Sequence, residues 1–449
     1  MSLAQNKTLR TAPTLVFFQL LSFPWRQSDP EISQKFLGIA QNEISQKFLE
    51  PALPTHDESE TILVKKRDLL FSNSTRYLVM DLIGEGGYGL VVKCLNLITG
   101  KTTAVKIHKD GESKSILREL EMLEAIRSLD TEKKNIIKFI EDFKCHDCSC
   151  LAFEMLDKSL WDLMEEEGMP LSLNEIRPVT QQLMVAFEAL KGLGIMHLDM
   201  KPDNVMLVNH KDQPFRIKLI DFGLAHPVGA LETGTVMQVL AYRAPEIMLG
   251  LPLSEAVDIW GVGCIMAYMY FGDHLFPFEC KYNWMRTLLH LLGQPEEDQL
   301  NDAMYTWKYF SSDHGSTTQR WRLKTPGEYK DATGVRAKVL MTFFEFSETL
   351  EDAVEGWSEK QDGIEYEDTM AFLSLLKGCL HVDPARRICP GEALKHRFIT
   401  MAHLVDEMGT SSYVDAALHL MTVSYLHQSV HTESTAAAGV DRAVMSAGR

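Results

Sequence analysis

The chain has 449 residues, 45% hydrophobic and 24% charged, which is long enough for one large bilobal domain or for two or three smaller ones. Its formal net charge is −17, from 62 acidic and 45 basic side chains, so broad nucleic-acid or anionic-membrane binding, which needs basic surface, is excluded. Eight cysteines without regular spacing read as reduced thiols in an intracellular protein. No run of about 18 apolar residues occurs, so no transmembrane helix is expected.

Residues 1–70 differ from the rest and read as an irregular extension and linker, with Pro51, Pro54 and an acidic stretch at 57–60. The apolar run at 14–23 follows Lys7 and Arg10 like a secretion signal, but no small-residue cleavage site follows it. Residues 31–37 recur at 43–49. Two copies are too few for a repeat fold, so a local duplication is the reading.

From Tyr77 the pattern becomes strand-like, at 77–80, 90–94 and 104–107. Residues 113–129 switch to helical period, with Ile116, Leu120, Leu123 and Ile126 on one face. Apolar runs at 136–143 and 151–155 flank Cys145, His146, Cys148 and Cys150. A structural zinc needs four ligands with room to fold around the ion, so a hairpin turn with free thiols is the reading here. Ser172 and Glu175 form a capping box before a helix carrying Ile176, Val179, Leu183, Phe187 and Leu190. Residues 255–271 are apolar nearly all round and predict a buried helix, stopped by Gly272. The acidic run 345–368, opposed only by Lys360, reads as a solvated, mobile loop. Helices are expected near 369–380 and, after Pro390, near 391–399. The tail at 428–449 is rich in Ala, Ser, Thr and Gly, a composition that predicts disorder. Strands first and helices afterwards make the fold class α+β in two packed parts.

Several residues carry chemistry. Gly84, Glu85, Gly86, Gly87, Tyr88, Gly89 and Val91 fit a glycine-rich turn. A dinucleotide-binding turn would run straight into a helix, whereas here a strand follows. The motif therefore reads as a hairpin folded over phosphates, where glycine lets the backbone approach closely. Lys106, two residues after Ala104, would meet those phosphates and needs a buried carboxylate partner. Glu119 is the choice and Glu121 the fallback; about 200° of helix separates them, so only one points inward. Phe153, Glu154 and Met155 end an apolar strand and read as a hinge against which a flat ring would stack.

The densest signal is His197-Leu198-Asp199-Met200-Lys201-Pro202-Asp203-Asn204, followed by Asp221-Phe222-Gly223 and Ala244-Pro245-Glu246. A carboxylate, a lysine, an amide and a second carboxylate stand here at phosphoryl-transfer spacing. Asp199 is placed as general base and Lys201 as a counter-charge for the transferred group. Asn204 and Asp221 are hard oxygen ligands suited to Mg²⁺. His197 reads as a buried structural histidine. Glu246 and Arg387 read as a buried ion pair, and Asp258 as a brace for the catalytic loop.

Together, residues 77–399 resemble a eukaryotic protein kinase domain, and Tyr242-Arg243-Ala244-Pro245-Glu246 resembles its cyclin-dependent, MAP and CDC-like group. The match narrows to the homeodomain-interacting protein kinases through Phe153–Leu156, Met206–Val208, Ala244–Pro252, Arg322–Pro326 and His396–Leu404. The resemblance implies a small, mainly β N-lobe at 77–155, a larger helical C-lobe at 156–399 with an insert at about 276–365, and a tail at 400–449. It implies ATP and Mg²⁺ as cofactors and serine or threonine substrates followed by proline. It also implies transcription factors or co-regulators as protein partners, a monomer, and the nucleus or the cytoplasm as the compartment. The rival readings are a catalytically silent kinase-like scaffold and a nucleotide sensor.

The chain departs from that family in one connected way. Val236 stands where the family has its activation-loop tyrosine, Gln238-Val239-Leu240 replaces Gln-Ser-Arg, and Leu198 precedes Asp199, where most kinases have arginine and the family tends to have a small residue. A phosphate that orders a loop needs arginines to hold it. The expectation is therefore a loop held by packing, with Thr233 and Thr235 as the remaining acceptors.

Overall fold

The computed structural model describes residues 64–424, apart from 87–88, 109–112, 146–147, 169, 313–320, 339–343, 345–346 and 358–362. The duplication at 31–49, the tail at 428–449, Gly87, Tyr88 and His146 lie outside the described residues.

Six antiparallel strands form the N-lobe sheet: β1 (Leu69–Phe71), β2 (Arg76–Gly86), β3 (Gly89–Asn96), β4 (Thr102–His108), β5 (Phe139–Cys145) and β6 (Cys148–Glu154), in the order β1-β2-β3-β4-β6-β5. Strand periodicity sends Val92 and Cys94 of β3, and Val105 and Ile107 of β4, into a core shared with Tyr77 and Phe143. The sheet starts eight residues before Tyr77, because β1 pairs with β2 through Leu70 and Tyr77. Residues 69–70 are therefore strand, not linker; one buried residue, Leu70, is too short a signal to read. Across the sheet lies α1 (Lys114–Ile126), which buries Ile116, Glu119, Met122, Leu123 and Ile126. Cys145 and Cys148 pair across the β5–β6 turn, neither of them in a disulfide.

The C-lobe is built on α2 (Leu160–Glu167), α3 (Leu173–Gly192), α4 (Pro245–Leu249), α5 (Ala256–Phe271), α6 (Lys281–Leu292), α7 (Leu350–Trp357), α8 (Gly363–Cys379) and α9 (Ser412–Met421). Four short strands, β7 (Ile195–Met196), β8 (Val205–Leu207), β9 (Ile217–Leu219) and β10 (His226–Pro227), pair as β7 with β10 and β8 with β9. The Ser172 N–H donates to Glu175 Oε2 at 2.8 Å and caps α3. Every residue of α5 from Val257 to Phe271 is buried, and Gly272 ends it with φ 71°. Two glycines let its neighbours come close. A Cβ on Gly261 would lie 2.5 Å from Met200 Cβ, and one on Gly263 would lie 2.8 Å from Leu380 Cδ2.

Three expectations are corrected. The acidic stretch at 345–368 is largely helical where it is described, forming α7 and the start of α8. Its Asp368 is fully buried and accepts from Arg177 Nη2 at 2.5 Å and from Tyr413 Oη at 2.6 Å, with His403 Nε2 at 2.9 Å. A carboxylate inside the protein must be paired, and its cation lies 191 residues away, beyond the reach of any spacing rule. The helix expected at 391–399 is two short ones, Pro390–Ala393 and Arg397–Thr400, because His396 breaks the run and caps the second. Residues 402–424 are not tail: α9 packs on α3, where Asn174 Nδ2 donates to Tyr413 O at 3.1 Å.

Replacing Asp368 by alanine leaves Arg177 as a buried, unpaired charge, which typically costs about 3–5 kcal/mol; urea unfolding is expected to show a loss of that size. Burial alone would raise the Asp368 carboxyl, but His403, Arg177 and Tyr413 outweigh it and hold it below 3.8. An acid with a lowered folded value contributes stability above its unfolded value and loses it as pH falls through the folded one. Acid unfolding of the wild type should therefore steepen below about pH 4, and this part of the slope should vanish in the variant.

Candidate active site

The β2–β3 hairpin pairs Gly84 with Val91 and Gly86 with Gly89. Gly89 has φ 144°, and a Cβ there would sit 2.0 Å from Ile107 O, so only glycine fits. Lys106 stands opposite Val91 on β4, so the hairpin lies over it. Its Nζ donates to Glu119 Oε1 at 2.7 Å and to Asp221 Oδ1 at 2.9 Å. Glu119 is buried on the inner face of α1, and Glu121 is exposed. Burial alone would lower the lysine, but the Asp221 and Glu119 charges outweigh it and raise it above its ordinary value. Burial would likewise raise Asp221, but the Lys106 charge and the Gly223 N–H hold it below the usual range. Lys106 and Asp221 are therefore held charged at neutral pH. Glu119 is the softer member: burial raises it, and the Lys106 charge draws it back.

Between β7 and β8 the chain passes under this triad. The N–H groups of His197 and Leu198 donate to the Asp258 carboxylate, at 2.7 Å to Oδ2 and 2.9 Å to Oδ1. Leu198 is fully buried and left-handed, with φ 64°. His197 is fully buried: its Nε2 lies 2.9 Å from Ile220 O, and its ring meets Phe222 edge-on at 5.1 Å. Asp199 Oδ2 accepts from Lys201 Nζ at 2.9 Å and from Asn204 Nδ2 at 2.8 Å. Asn204 Nδ2 also donates to Asp199 O at 2.7 Å. The amide nitrogen of Asn204 is thereby engaged, and its carbonyl oxygen is left for another partner. Asp221 adopts φ 59° in the turn before Phe222 and Gly223.

At the hinge, Ala104 pairs with Phe153 and Thr103 with Glu154, and the Phe153 ring packs on Phe139 at 5.6 Å. Met155 follows β6 directly. Below the cleft, Glu246 and Arg387 form a two-pronged buried pair at 2.7 and 2.9 Å, with the guanidinium 5.3 Å from the Trp260 ring centroid. Arg243 Nε donates to Met237 O at 2.8 Å and its Nη2 to Gln238 O at 2.7 Å, while Gln238 takes φ 65°. Thr233 is exposed, and Thr235 Oγ1 donates to Glu232 O at 2.7 Å.

A family model described as the protein kinase domain matches residues 77–399. The chain belongs to the protein kinase family. It is 36% identical over 361 residues to homeodomain-interacting protein kinase 2 of Mesocricetus auratus, covering 78% of this chain and 31% of that protein. It is 33% identical over 383 residues to homeodomain-interacting protein kinase 1 of Caenorhabditis elegans, covering 82% of this chain and 45% of that protein. Over 369 residues it is 33% identical to homeodomain-interacting protein kinase 4 of Homo sapiens, covering 79% and 60%. The chain thus spans between about a third and three-fifths of these relatives' lengths.

Sequence reasoning missed two contacts in this kinase domain. Arg118, beside Glu119, donates from Nη2 to Gly223 O at 3.1 Å and ties α1 to the turn after Asp221. Tyr305 donates from its hydroxyl to Gly234 O at 2.7 Å, while its own N–H donates to Leu249 O at 2.8 Å. A Cβ on Gly234 would lie 2.9 Å from Met304 Sδ. The first contact joins residues 105 positions apart and the second residues 71 apart, so no local pattern announces them. The residues present fit a nucleotide with a divalent cation. Asn204 and Asp221 supply hard oxygens beside a lysine charge, the donor set such an ion takes together with phosphate and water.

Proposed function

We propose that this chain is an active protein kinase that transfers the γ-phosphoryl group of ATP, with Mg²⁺, to serine or threonine hydroxyls of protein substrates. The observation that carries the reading is the assembled triad: Lys106 Nζ within 2.9 Å of both Glu119 and Asp221. Lys106 would meet phosphate oxygens, and Asn204 with Asp221 would hold the cation, which supplies charge neutralisation when bound. Asp199 takes or orients the hydroxyl proton as the substrate oxygen bonds to the γ-phosphorus and the bond to ADP breaks. Lys201, already on Asp199, offsets the charge spread over the transferred group. The test is phosphate transfer from ATP·Mg²⁺ to a peptide library by the wild type and by Asp199→Asn. Equal signals would remove the reading in favour of a scaffold or a nucleotide sensor.

A preference for proline after the acceptor follows from the Gln238 carbonyl. Arg243 occupies that oxygen, so a substrate N–H facing it finds no acceptor. A buried unsatisfied donor costs about 1–3 kcal/mol, and proline, which has none, avoids the cost. The library is expected to enrich proline at that position by roughly tenfold or more; no enrichment would refute the preference. Transcription factors and co-regulators, by resemblance, are the proposed substrates.

Val236 offers no hydroxyl to phosphorylate, and Tyr305 with Met304 clasps Gly234. We read the activation segment as ordered by this packing. Phosphatase treatment is then expected to leave transfer unchanged within about twofold, since no phosphate–arginine pair is lost; activity that disappears on treatment would sink this idea.

A further inference from the structure

Lys218 lies on β9, three residues before Asp221, and is fully buried. Burying an ammonium costs several kcal/mol unless carboxylates compensate. Two do: Nζ lies 2.6 Å from Glu154 Oε1 and 2.5 Å from Glu132 Oε1. Glu154 is the last residue of β6, at the hinge. Its Oε1 also accepts from Lys138 N at 2.7 Å, and its own N–H donates to Lys138 O at 3.1 Å. The hinge residue is thus fixed by backbone and side chain together.

The other end of the link is equally fixed. Leu219 N donates to Asn135 O at 2.8 Å, and Ile137 N donates to Leu219 O at 2.9 Å, so β9 is stitched to the segment ahead of β5. Arg216, which directly precedes β9 on the same side as Lys218, donates to Asn135 Oδ1 at 2.5 Å and to Gln182 Oε1 at 3.2 Å. One stretch of chain therefore carries two buried cations that anchor it, and it runs on to the metal-ligand candidate Asp221.

We propose that Lys218 is a positioning residue for nucleotide: through Glu154 it holds the hinge backbone at a set distance from the strand that leads to Asp221. It touches neither substrate nor cation itself. The two ends of a bound nucleotide, its ring at the hinge and its phosphates near Lys106 and Asp221, are thereby kept in register. This inference rests on the nucleotide-binding reading above.

The test is ADP affinity, measured by titration calorimetry without metal, for the wild type, Lys218→Met, Glu154→Gln and the double variant, with the melting temperature of each without nucleotide. Each single variant is expected to bind ADP about tenfold more weakly, a loss of about 1.4 kcal/mol, because the hinge no longer holds the ring in register with the phosphate contacts. The double variant should be no weaker than the worse single one, because both changes break one link. Lowered melting temperatures with unchanged ADP affinity would reduce Lys218 to an ordinary core ion pair and overturn the proposal. Additive losses would overturn its route through Glu154. If Lys218→Met does not fold, Glu154→Gln decides alone, and unchanged affinity there also overturns it. A wild type that does not bind ADP removes the nucleotide reading itself, which is a separate outcome from variants that bind as the wild type does.

Discussion

Asp199→Asn is expected to lower turnover by on the order of 10²–10⁴, the usual size of a general-base contribution, while ATP affinity stays within about twofold. The asparagine keeps the shape of the carboxylate and still accepts from Lys201 or Asn204, so the loop should hold. What it lacks is the charge that takes or orients the hydroxyl proton. Affinity should persist because the proposed phosphate contacts are made by Lys106 and the hairpin, on the other lobe. Lys106→Met should behave differently. It removes the cation between Glu119 and Asp221, leaving two carboxylates facing each other, and should raise the KM for ATP as well as lower kcat. Steady-state kinetics of the two variants separate a base from a binder. A variant at Asp199 that keeps more than half of wild-type turnover would mean that the loop geometry performs no chemistry.

What was legible in the sequence was whatever had a local rule behind it. Helical geometry selects Glu119 over Glu121 as soon as one carboxylate must face inward, and the structure has Glu119 2.7 Å from Lys106. The stretch 255–271, apolar nearly all round with glycine after it, reads as a buried helix, and α5 is one. The motif spacings place Asp199, Lys201 and Asn204 on one turn because only four residues intervene between the first and the last. Long-range electrostatics had no such rule. Asp368 looked like one more charge in an acidic run, and only its three partners in space make it core. Lys218 reads as a polar residue between Ile217 and Leu219, yet it is as buried as they are, because its carboxylates come from 64 and 86 residues away. Leu198 is the instructive middle case. Its departure from arginine is visible at once in the sequence, but its left-handed backbone and full burial are not.

That backbone makes Asp258 the other position of large expected effect. A leucine at φ 64° costs roughly 1–2 kcal/mol relative to a right-handed or extended conformation. Something must hold it there, and the N–H groups of His197 and Leu198 each donate to an oxygen of Asp258. Burial pushes this carboxyl above its ordinary value, with the two backbone N–H bonds drawing it back. Removing the side chain, as in Asp258→Ala, leaves two buried donors unsatisfied at about 1–3 kcal/mol each, on the order of 2–6 kcal/mol together, and the strained turn loses its clamp. Asp258→Asn is the milder change, because an amide oxygen still serves one N–H while its NH₂ faces the other as donor to donor. Both variants should unfold at lower urea concentration, alanine more so. Turnover should also fall, by up to about a hundredfold, because Asp199 follows Leu198 directly and a shift of 1 Å in a reacting group costs that much. Gly261 limits how the loop relaxes: Met200 packs directly on α5, 2.5 Å from where a Cβ would stand, so the turn has no room to move toward that helix. A variant that loses stability while keeping kcat would place the clamp outside the catalytic geometry and leave Leu198 held by packing alone.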